Sequence, residues 1–205
     1  MGRIRFRGGT MLAPLPTALV TVKDGDSINA ITIGWTGILS TQPPKTYISV
    51  RPSRYSYQML KNSGEFVINL TTAGLTRAAD YCGVFTGRKV NKFEKCGLTP
   101  VPSEEVAAPT IAESPLSLEC RVTDVIPLGS HDMFIADIVA VTADEAIVDK
   151  NGKLRLDRAD LAAYAHGEYF ALGKRIGAFG FSAAKKKKKT RSTAPRKEKK
   201  PREKQ

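Results

Sequence analysis

Six consecutive residues, Arg51-Pro52-Ser53-Arg54-Tyr55-Ser56, bring together two guanidinium groups, two hydroxyls and a phenol. Hydroxyls, guanidinium groups and the free N–H groups of a helix start hold a phosphate well, so this run suits a phosphate ester if a helix begins within it. A plainly capped helix with two solvated arginines uses the same letters. Lys92, further on, adds a point charge for the same role. Upstream, the stretch from Asn29 to Pro44 carries hydroxyls at Thr32, Thr36 and Ser40, backbone donors freed by Gly34 and Gly37, and the only tryptophan, Trp35. These groups can hydrogen-bond the polar edge of a flat ring, with Trp35 packed beside it; a tryptophan in a strand also serves simply as core.

A flat ring at one end and a phosphate at the other describe a flavin mononucleotide (FMN). Donors aimed at the pyrimidine edge of its ring would stabilise the negative charge that reduction places there. His131 and His166 are the only histidines. In the turn Gly129-Ser130-His131-Asp132, His131 either reaches the ring face where a nicotinamide would lie or bonds Asp132 as an exposed turn residue. The acidic residues show no pairing suited to acid–base work, and no metal site is read. No G-x-G-x-x-G follows a strand, so a Rossmann nicotinamide site is absent; a nicotinamide that stacks transiently on a flavin needs none.

The same residues carry a resemblance. Thr32, Trp35, Ser40 and Pro43 form a T-x-x-W-x-x-x-x-S-x-x-P run, followed by an S-x-R-P-S-R-Y-S run from Ser49 to Ser56; Thr86–Phe93 is similar to S-G-R-x-x-D-K-F, and Gly129–Asp132 to a G-D-H turn. Over residues 10 to 182 the chain resembles the FMN-binding split-barrel family, in particular its flavin-reductase-like and flavoredoxin-like members. Ser130 stands where that family usually has an aspartate, and Ala136 where a glycine is common. The resemblance implies a Greek-key antiparallel barrel and a homodimer with flavin at the subunit interface. It implies FMN held by Asn29, Thr32, Gly34, Trp35, Thr36, Gly37, Ser40, Arg51, Ser53, Arg54, Tyr55, Ser56, Lys92 and Tyr169. It places His131 on the nicotinamide side and His166-Gly167-Glu168-Tyr169 in a segment that closes over the flavin. The implied activity is that of an NAD(P)H-dependent flavin-reductase-like oxidoreductase, taking hydride from NADH or NADPH and passing electrons to free flavin, ferric iron or a partner protein. A non-catalytic flavoredoxin-type electron carrier or FMN-binding module is the alternative.

The elements that must position these residues are mainly strands with short helices inserted. Thr17–Val22 and Ile28–Trp35 read as a hairpin about Lys23-Asp24-Gly25-Asp26. A hydroxyl-rich loop leads to the strand Tyr47–Arg51, and Pro52 ends pairing before a two-turn helix, capped by Ser53 or Ser56, that stops at Asn62-Ser63-Gly64. Glu65–Leu70 reads as a strand, Thr72–Val84 as a helix and residues 86–114 as loop. Leu116–Ile126 and Met133–Thr142 form a hairpin through Pro127-Leu128-Gly129-Ser130, and Ile147–Leu154 is a tight turn between short strands. Leu161–Phe181 reads as loop and a closing strand. Six or more strands without βαβ alternation call for a closed or nearly closed antiparallel barrel.

A chain of 205 residues with 41% hydrophobic content is enough for one domain, placed at residues 11–182 between a basic N-terminal arm (1–10) and a tail (183–205). The net charge of +12 belongs largely to that tail, whose last 21 residues hold 12 Lys/Arg against 2 Glu. With no apolar content to order it, the tail is expected to be disordered, binding nucleic acid or anionic lipid weakly and without specificity, or simply extending into solvent. Cys82, Cys96 and Cys120 suit neither a disulfide framework nor zinc, and point to a reducing cytoplasm, with Cys82 a buried structural thiol. Arg3, Arg5 and Arg7 precede an apolar stretch broken by Pro14 and Pro16, read as an arm and not a leader. No run is long enough to cross a bilayer.

Overall fold

The computed structural model describes residues 2–183, and the tail from residue 184 onward lies outside the described residues. The described residues up to Gly173 form one compact unit. The strands are β1 (Leu15–Pro16), β2 (Ala18–Asp24), β3 (Ser27–Ile33), β4 (Thr36–Thr41), β5 (Pro44–Val50), β6 (Glu65–Leu70), β7 (Pro100–Val101), β8 (Thr110–Ile111), β9 (Leu116–Pro127), β10 (Asp132–Ala143), β11 (Ala162–Ala165) and β12 (Glu168–Ala171). The helices are α1 (Tyr55–Ser63), α2 (Thr76–Val84) and α3 (Lys92–Cys96).

Seven strands form one sheet in the order β3-β2-β6-β9-β10-β5-β4, antiparallel at every pairing. Its two edge strands, β3 and β4, are consecutive in the chain and joined only by Gly34-Trp35. The sheet must therefore curl back on itself, and the hydrogen bond from Ser49 N–H to the Trp35 carbonyl (2.9 Å) carries the β4–β5 pairing one residue further toward that turn. Among the described residues β3 and β5 share no ladder, so the seam is open along β3. This is a split barrel, the mainly β architecture expected, with short helices between strands.

Alternation along β2 explains how the barrel is clad. Ala18, Val20 and Val22 face the barrel core with Ile31, Ile48, Phe66 and Phe134, while Leu19 faces outward into a second cluster with Ala79, Cys82 and Phe93 from α2 and α3. The run Ala18–Val22 is apolar because both of its faces are covered. Helix α1 inserts Met59 and Leu60 into the barrel core, each worth about 1.5–3 kcal/mol of burial. It ends at Gly64, whose φ of 65° supplies the left-handed cap.

Several local expectations are corrected. The stretch after Trp35 is not a loop but β4, paired with β5 around the two-residue turn Gln42-Pro43. Neither Ser53 nor Ser56 caps α1: the N-cap is Arg54, with no side-chain cap, and Ser56 lies inside the first turn, buried. α2 begins at Thr76, because Thr72 is bridged to Leu161. The loop-rich region contains α3, five residues long and capped by the Asn91 side chain on Glu94 N–H, too short to show helical periodicity. Leu161–Phe181 supplies no closing strand to the barrel: β11 and β12 form a hairpin in a separate sheet with β1. Their turn is His166-Gly167, with φ of 49° and 96°, as a two-residue hairpin turn of this hand demands.

Candidate functional site

The open seam leaves a cavity of about 450 Å³ around Gly34 and Trp35. β3 contributes Ile31, Thr32 and Ile33, β5 contributes Ser49 and Val50, and the β1 sheet covers it with Leu15, Tyr164 and Tyr169. A second cavity of about 170 Å³ lies at the start of α1, between Asn29, Ser53–Ser56 and the Thr86-Gly87 loop, with Cys82 and Lys92 behind. Ile31, Arg51 and Arg54 are walls of both. A ring-sized space and a phosphate-sized space thus adjoin across two guanidinium groups.

At the phosphate-sized end the chemistry is positive and unspent. Arg54 N–H closes a turn on the Arg51 carbonyl (3.0 Å) and Tyr57 N–H bonds the Arg54 carbonyl (3.0 Å), while no side chain caps the first turn of α1, whose Tyr55 and Ser56 line this cavity. Among the described residues neither Arg51 nor Arg54 pairs with a carboxylate. Arg54 donates to the Gly83 carbonyl at 3.1 Å, which steadies it against α2. Lys92 is buried and donates to the Ala30 and Cys82 carbonyls (2.7 and 2.8 Å), using two of its three N–H groups. Burial pulls its pKa below the ordinary value, with the Arg54 charge acting in the same direction. Ser56 Oγ accepts from Asn29 Nδ2 at 2.7 Å, so the two are structurally coupled. Arg88 lies over the Tyr55 ring, 5.8 Å from its centre.

At the ring-sized end His131 tilts against Trp35, with ring centres 4.6 Å apart. Arg51 Nε donates to His131 Nε2 (3.3 Å), and Nδ1 lies 3.0 Å from Ser130 Oγ, an arrangement that suits a neutral ring protonated on Nδ1. Burial, then the charges of Arg51 and Arg54, hold its pKa below 6.5. Asp132 does not bond His131; it accepts from the Tyr57 hydroxyl instead. Thr17 also lines this cavity, and its Oγ1, sealed from solvent, has no hydrogen-bond partner among the described residues. Tyr169 donates to Asp80 (3.2 Å), fastening the β11–β12 hairpin to α2, and burial followed by the Asp80 charge pushes its pKa up to about 12.

The fold therefore gathers Thr32, Gly34, Trp35, Arg51, Arg54, His131 and Tyr169 around the larger cavity and Asn29, Arg51, Ser53, Arg54, Tyr55, Ser56 and Lys92 around the smaller. The Thr32 hydroxyl is itself spent on the Ala79 carbonyl. Thr36, Gly37 and Ser40 line neither cavity: Thr36 Oγ1 bonds the Tyr47 carbonyl, the Gly37 carbonyl accepts from Thr46, and Ser40 Oγ accepts from Gln42 N–H. His166 sits exposed at the hairpin turn, outside both. Sequence reading passed over Thr17, Tyr164 and Gly87. Nothing local marks the first two, whereas Gly87 stands within the Thr86–Phe93 run. Among the described residues no three His, Cys, Asp or Glu side chains group as a metal site, and no helix is long and apolar enough to cross a membrane.

Fold and site together define a flavin-reductase-like split-barrel domain. Residues 10–173 match the model of the flavin reductase like domain, and the chain belongs to that family. Among solved structures it is similar to the flavoredoxin of Desulfovibrio vulgaris (Miyazaki F), with 33% identity, a TM-score of 0.82, and coverage of 90% of this chain and 100% of that one. An uncharacterized protein of Archaeoglobus fulgidus is 36% identical over 138 residues, 67% of this chain and 77% of that protein. The NADPH-flavin oxidoreductase of Streptomyces viridifaciens is 28% identical over 153 residues, 73% of this chain and 78% of that protein.

Proposed function

We propose that the chain binds FMN, with the ring in the seam cavity and the phosphate at the start of α1, and that the bound flavin takes hydride from NADH or NADPH and passes electrons to free flavin, ferric iron or a partner protein. The observation that carries this reading is the pair of adjoining cavities sharing Arg51 and Arg54. The phosphate meets two unpaired guanidinium groups, the N–H groups of α1 and the remaining N–H of Lys92. Ser53, Tyr55 and Thr86 border the same space. At the ring, the backbone around Gly34 offers polar contacts, Trp35 and Tyr169 border the plane, and a neutral His131 orients a nicotinamide. Bound FMN supplies the two-electron chemistry; the chain supplies orientation and positive charge.

The protein works as a homodimer in the cytoplasm in this reading. Ile38 and Leu39, 65% and 47% exposed on the edge strand β4, favour a partner surface. The flavoredoxin likeness favours a second reading, an electron carrier whose FMN is reduced by another protein.

The visible spectrum after FMN addition and desalting, followed by anaerobic NADH and NADPH, tests both. Retained flavin that bleaches quickly is the expected result. Retained flavin that stays oxidised favours the carrier, and a protein that neither retains nor turns over FMN refutes the assignment.

A further inference from the structure

A third hollow, of about 490 Å³, lies between residues 10–13 and the His166-Gly167 turn. It shares Leu15, Trp35 and Tyr164 with the seam cavity, so the Trp35 indole borders both spaces. The rest of its wall is Thr10, Met11, Leu12 and Ala13 from the arm. Among the described residues no lysine, arginine, aspartate or glutamate lines it, in contrast to the other two cavities, both of which contain Arg51 and Arg54.

We infer that this hollow is a second ligand site, for an uncharged, fused-ring aromatic molecule. Charge decides against a nucleotide: a phosphate or carboxylate leaving water needs a counter-charge or several donors, and the lining provides no cationic side chain besides the His166 ring. An apolar ring system loses nothing by the same transfer and gains the removal of its surface, and of the Met11, Leu12 and Leu15 side chains, from water. Two aromatic walls, Trp35 and Tyr164, add the offset and edge-on contacts that ring systems favour. The volume lies within the range of small-molecule sites and holds two fused rings with room for a substituent. Three of its walls, Leu15, Trp35 and Tyr164, are shared with the seam cavity, but none carries the phosphate-binding groups, so the site is expected to take its ligand in flavin-free protein.

Trp35 is the only tryptophan, so its emission reports occupancy directly in flavin-free, full-length protein. Titration with 1-nitronaphthalene, an uncharged quencher, is expected to give saturable quenching, at least tenfold tighter than with naphthalene-1-sulfonate. The double variant Met11→Asp, Leu12→Asp is expected to weaken 1-nitronaphthalene about tenfold or more. Both side chains are exposed, 64% and 80%, so the fold is retained. Neither lines the other cavities, so the response to FMN is expected to be unchanged. Non-saturable quenching, equal affinity in wild type and variant, preference for the sulfonate, or competition by FMN overturns the inference. Saturable 1-nitronaphthalene quenching in a protein that fails to bind FMN supports this site while refuting the flavin reading alone.

Discussion

Asn29 and Ser56 meet through a 2.7 Å hydrogen bond, Asn29 Nδ2 donating to Ser56 Oγ, both almost fully buried. The bond ties the middle of β3 to the first turn of α1 and so fixes the width of the phosphate-sized cavity. It also separates two roles that adjacent residues would otherwise share. Ser56→Ala leaves a buried amide N–H unpaired and is expected to cost about 1–3 kcal/mol of stability. Arg54→Ala removes an exposed guanidinium and is expected to leave stability unchanged while weakening FMN about tenfold to a hundredfold, the range for a charge-assisted bond. Urea unfolding and FMN titration measured on both variants separate the effects; equal FMN affinity in wild type and Arg54→Ala would refute the phosphate assignment.

Gly87 is constrained by close approach and not by backbone angle. A Cβ there would stand 2.3 Å from Asn29 Oδ1 and 2.8 Å from Tyr55 Cδ1. Asn29 cannot swing aside without breaking its bond to Ser56. Gly87→Ala is therefore expected to cost about 1–3 kcal/mol, and to weaken FMN about tenfold by pushing the loop off the cavity. A calorimetric Tm and an FMN Kd equal to wild type would contradict this contact.

His131 carries a pH signature. Its folded pKa lies below 6.5, by burial first and then by the charges of Arg51 and Arg54. As pH falls through 6.5 the unfolded chain takes up the proton before the folded one, so stability declines until the folded pKa is reached and is level below it. Imidazole NMR is expected to show the His131 midpoint below 6.5, moving up in Arg51→Ala. Urea midpoints between pH 5 and 7.5 are expected to fall with acid less in His131→Gln than in wild type.

Cys82 and Cys120 have thiols pushed up to about 12 by burial. At pH 8 only about one thiol in ten thousand is then thiolate. Iodoacetamide is expected to leave both unmodified in the native protein and to alkylate both in urea, as read by peptide mass spectrometry. Native labelling of either at the rate of a free thiol would contradict their packing.

Much of this arrangement is written in local sequence. The β-branched, apolar character of Thr17–Val22, Ile28–Trp35 and Tyr47–Arg51 specifies strands that must be covered, and strand count without βαβ alternation specifies an antiparallel barrel. Arg51–Ser56 announces a positive helix start, because residue types within one turn stay together however the chain folds.

Tertiary structure decided what faces what. Thr36, Gly37 and Ser40 carry plausible ligand chemistry, yet β4 pairs with β5 and spends their polar groups on strand contacts. Ser56 has the chemistry of a cap but lies two residues past the N-cap, inside the first turn, and bonds Asn29. Thr17 and Tyr164 look ordinary, and become cavity walls only because β1 and the β11–β12 hairpin fold over an open seam. Periodicity fixes how side chains alternate along a strand. Which face meets a cavity depends on the sheet curling back at Gly34-Trp35 to bring β3 beside β5, an approach that no local window contains.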